Sequence, residues 1–267
     1  MSSRLIAKIE SEEPVFRLAV LIDADNAQAS IIEGILAEVA RFGEATVKRI
    51  YGDFTSPNSA SWKKELQEYA IKPVQQFAYT TGKNATDSAL IIDAMDLLYT
   101  RKFDGFCLVT SDSDFTGLAT RIREEGLRVW GFGEQKTPGA FRKACHKFIL
   151  TEALRPSIAK TAPAAATSST STDTVPAQQK LAPAINVPPK FPREFMLAAL
   201  GESSDENGWA HLGTFGSYLT RLQPDFDSRV YGFKKLSDLV KAKTDLFVTE
   251  ERTAPGQSLK NLYLRAK

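Results

Sequence analysis

Two apolar runs, Leu18-Ala19-Val20-Leu21-Ile22 and Phe106-Cys107-Leu108-Val109-Thr110, each give way abruptly to a group of aspartates. Short uninterrupted runs of this kind predict strands buried on both faces of a parallel sheet. No run approaches the ~18 apolar residues of a membrane helix. Elsewhere the period changes: Ile31, Ile32, Ile35, Leu36 and Val39 recur at helical spacing, as do Trp62, Leu66 and Tyr69, then Leu90, Ile91, Ala94 and Leu98. Strands are expected over 18–23, 46–51, 71–79, 105–110 and 127–132. Helices are expected over 59–70, 87–99 and 115–125, besides the one centred on Ile35. Pro73 has no N–H to give a ladder, which puts its strand at an edge or delays its start. The alternation predicts an α/β domain of three layers around a central parallel sheet. In a doubly wound order 3-2-1-4-5, strands one and four meet at the switch point, where ligands bind beyond the carboxyl ends.

Residues 153–190 break this pattern. The Ala, Pro, Ser and Thr of 162–172 cannot build a core. A flexible linker is expected, with an end-to-end distance of roughly 30 Å. From 191 the apolar signal returns, with helices around Phe195 to Leu200, Phe215 to Leu219 and Phe233 to Val240. Leu246-Phe247-Val248 and Asn261-Leu262-Tyr263-Leu264 flank a turn-rich stretch as a hairpin. Three short helices and a hairpin predict a small winged-helix domain. The chain thus divides into an extension, 1–15, an α/β domain, 16–152, a linker, 153–190, and a winged helix, 191–267.

A carboxylate at the end of a buried strand is costly unless something compensates it. Asp23 ends the first run; Asp112 and Asp114 follow the second; Asp87 opens a helix after a polar loop. The topology brings the two strand ends together, and several oxygen donors in one place suit a hard divalent cation. Such a site would act on phosphodiesters. Each aspartate also has a structural alternative. Asp112 or Asp114 would serve as a helix cap, Asp25 likewise for the first helix, and Asp87 as a favourable charge in a first turn. Asn26 reads equally as a cap or as a polar group of the site. Asp93 and Asp96 read as solvated or structural. Lys83 is a candidate phosphate contact, but Gly82-Lys83 is no phosphate loop, because Phe77 stands where the upstream glycine would be.

Charge narrows the partners only locally, since 34 basic and 32 acidic residues nearly cancel. Cys107 and Cys145 make no disulfide framework, and no Cys/His spacing suggests zinc. Two histidines, His146 and His211, give a serine–histidine triad little support. Residues 1–13 are charged without an apolar core, so a soluble cytoplasmic protein without membrane attachment is expected.

The motifs Leu21-Ile22-Asp23-Ala24-Asp25-Asn26, Gly82-Lys83 with Asp87, and Thr110-Ser111-Asp112-Ser113-Asp114-Phe115 resemble those of the NYN domain, a branch of the PIN-like nuclease superfamily. The resemblance covers 16–152. It implies a metal-dependent ribonuclease, endonucleolytic, using Mg²⁺ or Mn²⁺. By position, Asp23, Asp87, Asp112 and Asp114 would be catalytic and hold the metal, with Asn26 and Ser111 as supporting polar residues. The segment 190–267 is similar to the LOTUS or OST-HTH domain through Trp209-Ala210-His211-Leu212, Gly216-Ser217-Tyr218-Leu219 and Tyr231-Gly232-Phe233-Lys234-Lys235-Leu236. That similarity implies RNA binding and a possible protein partner. Lys234, Lys235, Lys241 and Lys243 near the third helix are candidate RNA contacts, with Arg252, Lys260 and Arg265 on the wing. Trp209 and Tyr231 are expected in the core, and His211 in a structural role. Lys48, Arg49 and Tyr51, or Arg142, Lys143, His146 and Lys147, are further candidate guides in the first domain. Two alternatives stay open: an RNA-binding regulator without activity, and a phosphatase of the haloacid-dehalogenase-like kind. The latter shares Asp-x-Asp but continues differently from Asn26-Ala27.

Overall fold

The computed structural model describes residues 15–55, 60–77, 85–154, 191–253 and 260–267. Side chains alternate along β1 (Arg17–Asp23), and that alternation sets the layers. Leu18, Val20 and Ile22 pack under α1 (Ile32–Val39) and α2 (Trp62–Glu68). Ala19 and Leu21 face the opposite layer, built from α3 (Ala85–Tyr99), α4 (Thr116–Glu124) and α5 (Gly139–Ala144). Each fully buried Leu, Ile or Phe contributes about 1.5–3 kcal/mol over its exposed state. A slip of one residue would invert both faces of β1, so its register is strongly specified.

The remaining strands are β2 (Glu44–Gly52), β3 (Lys72–Gln75), β4 (Gly105–Val109), β5 (Arg128–Gly133) and β6 (Lys147–Leu150). They form one parallel sheet in the order β3-β2-β1-β4-β5-β6. The chain winds outward from β1 to β3, then returns to the other side of β1 at β4. Pro73 does sit on an edge strand, as its missing N–H requires. That strand ends earlier than its sequence suggests, and Lys83 lies outside the described residues. The sequence-based order lacked α5 and β6. Both are short, six and four residues, too brief for a period to register.

The second domain comprises α6 (Arg193–Ser203), β7 (Ala210–His211), α7 (Leu212–Leu222), α8 (Leu236–Ala242), β8 (Phe247–Thr253) and β9 (Lys260–Ala266). The strands pair antiparallel in the order β7-β9-β8 over a core of Met196, Leu200, Phe215, Leu219, Leu239 and Phe247. The third helix starts at Leu236 rather than Phe233. Gly232 takes a left-handed φ of 86° that ends the preceding turn, and Lys235 is extended.

This domain is seated on the first. The Phe148 N–H of edge strand β6 donates to the Pro224 carbonyl at 2.9 Å. Arg142 pairs with Asp225 at 2.8 Å, and Arg229 joins Glu38 at 2.9 Å to Asp227 at 2.6 Å. Val230 packs on the first domain's core. A sheet edge that would otherwise present unpaired backbone groups is covered there. Most of the expected linker, 155–190, lies outside the described residues. Among those described, no helix is long and apolar enough to cross a membrane.

Candidate active site

β1 and β4 run side by side, with Ile22 opposite Val109, so Asp23 and Thr110 emerge as neighbours at the carboxyl ends. By parity both project toward the layer containing α3, because Ala19, Leu21, Phe106 and Leu108 lie on that face. Asp23 is fully buried. Its carboxylate accepts from Asn26 Nδ2 at 2.7 Å, Thr110 Oγ1 at 2.9 Å and the Asp25 N–H at 3.0 Å. Burial pushes its pKa up, against the opposing effect of these donors.

Thr110 ties the two motifs together. Its hydroxyl donates to Asp23 and accepts the Asp112 N–H at 3.1 Å. Sequence reading assigned it no role, although a hydroxyl closing an apolar strand was the available signal. Gly133 on β5 makes room for it: a Cβ there would stand 2.6 Å from the Thr110 carbonyl oxygen. Asp112 caps the following turn through the Asp114 N–H at 2.9 Å. Asp112 is part-buried and Asp114 exposed. The Ser111 hydroxyl turns toward the β5 end, where it accepts the Glu134 N–H at 2.9 Å. Asp25 does not cap the first helix. That segment opens at Ala29 with Gln28 as its cap residue, too far along for the Asp25 side chain.

Asp87 lies in the first turn of α3. Its pKa is pushed up to about 6, first by desolvation and then by Asp23, Asp112, Asp114 and Asp25. The fold therefore brings all four predicted carboxylates into one electrostatic neighbourhood. They are not gathered tightly: among the described residues, no group of three or more His, Cys, Asp or Glu side chains is placed to hold a metal ion. The donor chemistry, all oxygen and mostly anionic, nevertheless suits a hard divalent cation, which would relieve the repulsion that raises Asp87.

Arg49 and Tyr51 both hydrogen-bond Asp93 on α3, which fixes the helix that carries Asp87. Their polar ends are thus engaged within the domain, and Lys48 donates to the Tyr69 carbonyl. Asp93 is structural, one of the two roles expected for it. In the second domain, Lys241 pairs with Glu251 at 2.8 Å and Lys243 lies over the Phe191 ring. Lys234 and Lys235 line a cleft against the first domain. His211 caps α7 by accepting the Gly213 N–H, and Tyr231 packs against Phe191 and Phe226. Trp209 is not core. It stands part-exposed just before β7, with the guanidinium groups of Arg252 and Arg265 from the wing over its ring, where an indole face attracts cations.

The family model for the NYN domain matches residues 17–152, and that for the OST-HTH/LOTUS domain matches 189–259. Among solved structures, the solution structure of an uncharacterized protein from Nitrosomonas europaea is 62% identical, with a TM-score of 0.29. It covers 36% of this chain and 92% of that one. A crystal structure of a protein of unknown function from Vibrio parahaemolyticus is 17% identical, with a TM-score of 0.44, covering 52% of this chain and 94% of that one. No curated protein matches the chain.

Proposed function

Because the chain belongs to the NYN domain family and carries an OST-HTH/LOTUS domain behind it, we propose that it is a ribonuclease with its own RNA-binding module. We assign cleavage within the strand, dependent on Mg²⁺ or Mn²⁺. The observation that carries this reading is the pairing of β1 with β4, which sets Asp23 beside the Thr110–Asp114 turn; Asp87, raised first by desolvation and then by these aspartates, lies within reach of their charge.

Asp23, Asp87, Asp112 and Asp114 would hold the cation, which supplies charge stabilisation to a phosphodiester under attack. The chain's own groups have distinct tasks. Asn26 and Thr110 fix the Asp23 carboxylate in one orientation. Thr110 also sets the backbone from which Asp112 projects. Ser111 anchors the same turn to the end of β5. Asp87 must be ionised to act as a ligand, and in the metal-free chain its pKa is pushed up to about 6. At limiting metal, activity should therefore rise as pH passes through about 6, and saturating metal should move that rise to lower pH.

An Asp112→Asn chain tests this directly. Outer partners of metal ligands already cost about 10–100-fold when lost, so losing a ligand should cost at least that. Cleavage of a labelled RNA in Mn²⁺ should fall by ~100-fold or more while RNA affinity stays, and chelator should abolish wild-type cleavage. Wild-type rates in the variant would refute the site. One observation favours a second reading, an RNA-binding regulator without activity: no described group is placed to hold a metal. Absence of cleavage on structured and unstructured RNAs in either metal, with binding intact, would establish that reading instead.

A further inference from the structure

We propose that the junction between the two domains, rather than the second domain alone, forms the RNA-backbone binding surface of this chain. The proposal rests on the ribonuclease reading for the identity of the polyanion. Its geometry is independent of the aspartate site.

Where the second domain meets the β6 edge, a cleft of about 320 Å³ opens. Arg41 and Lys147 enter it from the first domain, and Arg229, Lys234 and Lys235 from the second. The carboxylates on its wall, Glu38 and Asp227, are both held by Arg229, and Glu38 also takes Arg41. Lys147, Lys234 and Lys235 remain without an ion-pair partner among the described residues. Lys147 is part-buried with its ammonium over the Phe42 ring. Its pKa is pushed down by burial, against the pull of Glu38 and Asp227. An unpaired, desolvated ammonium is a strained state that an arriving phosphate would relieve.

A second cleft, about 740 Å³, lies on the other side of the same stretch of α7, since Gly216 and Thr220 line both. It carries Arg128 and Arg221 and no carboxylate. The chain as a whole is nearly neutral, at +2. The junction thus gathers several cations along two adjoining clefts in a nearly neutral chain, and a row of positive charge suits a polyanion better than a single small anion. Lys147 and Arg128 open β6 and β5, so the track lies at the amino ends of the strands. The aspartates lie at the carboxyl ends, on the order of 20 Å away along the sheet.

The test measures affinity of the full chain for a fluorescent 20-nucleotide polyuridine RNA in EDTA, across a series of salt concentrations. The variant Lys147→Met/Lys234→Gln/Lys235→Gln keeps an unbranched side chain beside Phe42 and removes three charges. A control, Lys64→Gln/Lys72→Gln/Lys102→Gln, removes three charges elsewhere. Each lost single-strand phosphate contact lowers the slope of log K against log salt by about 0.7. The cleft variant should therefore lose about 2 from the slope and bind roughly 100-fold more weakly at 0.1 M salt, converging with wild type toward 1 M. The control should match wild type. A second variant, Arg128→Gln/Arg221→Gln, removes two charges outside the buried network and should lose about 1.4 from the slope. Melting curves by circular dichroism confirm that each variant is folded. If both cleft variants bind with the control's slope, the junction is not the surface, and the ribonuclease reading stands. If the wild-type chain binds no RNA at all, both fall.

Discussion

Replacing Asp87 with Asn should stabilise this protein at neutral pH, an unusual outcome for a residue near a functional site. Asp87 is raised from an ordinary aspartate value, about 3.9, to about 6 by burial and by the aspartates around it. Its sign follows from proton binding. The native state holds the proton more tightly than the unfolded state, so this group favours folding below about pH 4. That advantage is lost as pH rises through about 6. At full coupling the difference corresponds to roughly 3 kcal/mol. Asp87 is part-exposed, and solvent screening reduces this to about 1 kcal/mol. Asn carries no charge to repel, so the gain of the variant over wild type should grow by about 1 kcal/mol between pH 4 and pH 7.5. In a domain of this size that is a rise of about 3 °C in melting temperature. The assay is thermal unfolding of both proteins in chelator at half-unit steps of pH. Added Mg²⁺ should shrink the gap, because a cation neutralises the same repulsion in wild type. A variant that gains nothing between pH 4 and 7.5, or that loses stability, would mean that Asp87 is neither desolvated nor crowded by the other aspartates. The metal assignment would go with it.

Three further outcomes follow from particular contacts. Thr110→Val keeps the shape but removes one of the three donors to Asp23 and the acceptor of the Asp112 N–H; urea unfolding should show a loss of about 1–3 kcal/mol. Arg229→Met leaves Glu38, 5% exposed, with only the exposed Arg41 at the junction. A fully buried pair would cost about 3–5 kcal/mol; here about 2 is expected, read as looser domain docking in small-angle scattering and faster proteolysis between the domains. Tyr51→Phe removes one of two anchors on Asp93, and should cost about 1 kcal/mol in urea unfolding while slowing RNA cleavage through the altered seat of α3.

The sequence by itself determined the layered α/β domain and the pairing of Asp23 with the Asp112 turn, and narrowed Pro73 to an edge strand or a late start, of which the sheet order shows the edge. Each is written in local, high-contrast terms: an apolar run, a missing N–H, a charge at a strand end. It did not reveal β6, whose four residues carry too little period, or Thr110, whose hydroxyl matters only because β1 lies beside β4. Trp209 looked like core because indoles usually are; only the wing geometry brings two arginines onto its ring. Lys147, Lys234 and Lys235 were legible only as separate basic candidates, on two domains and some ninety positions apart. What gives them meaning is the seat of the second domain on the β6 edge, a long-range contact that no local pattern encodes.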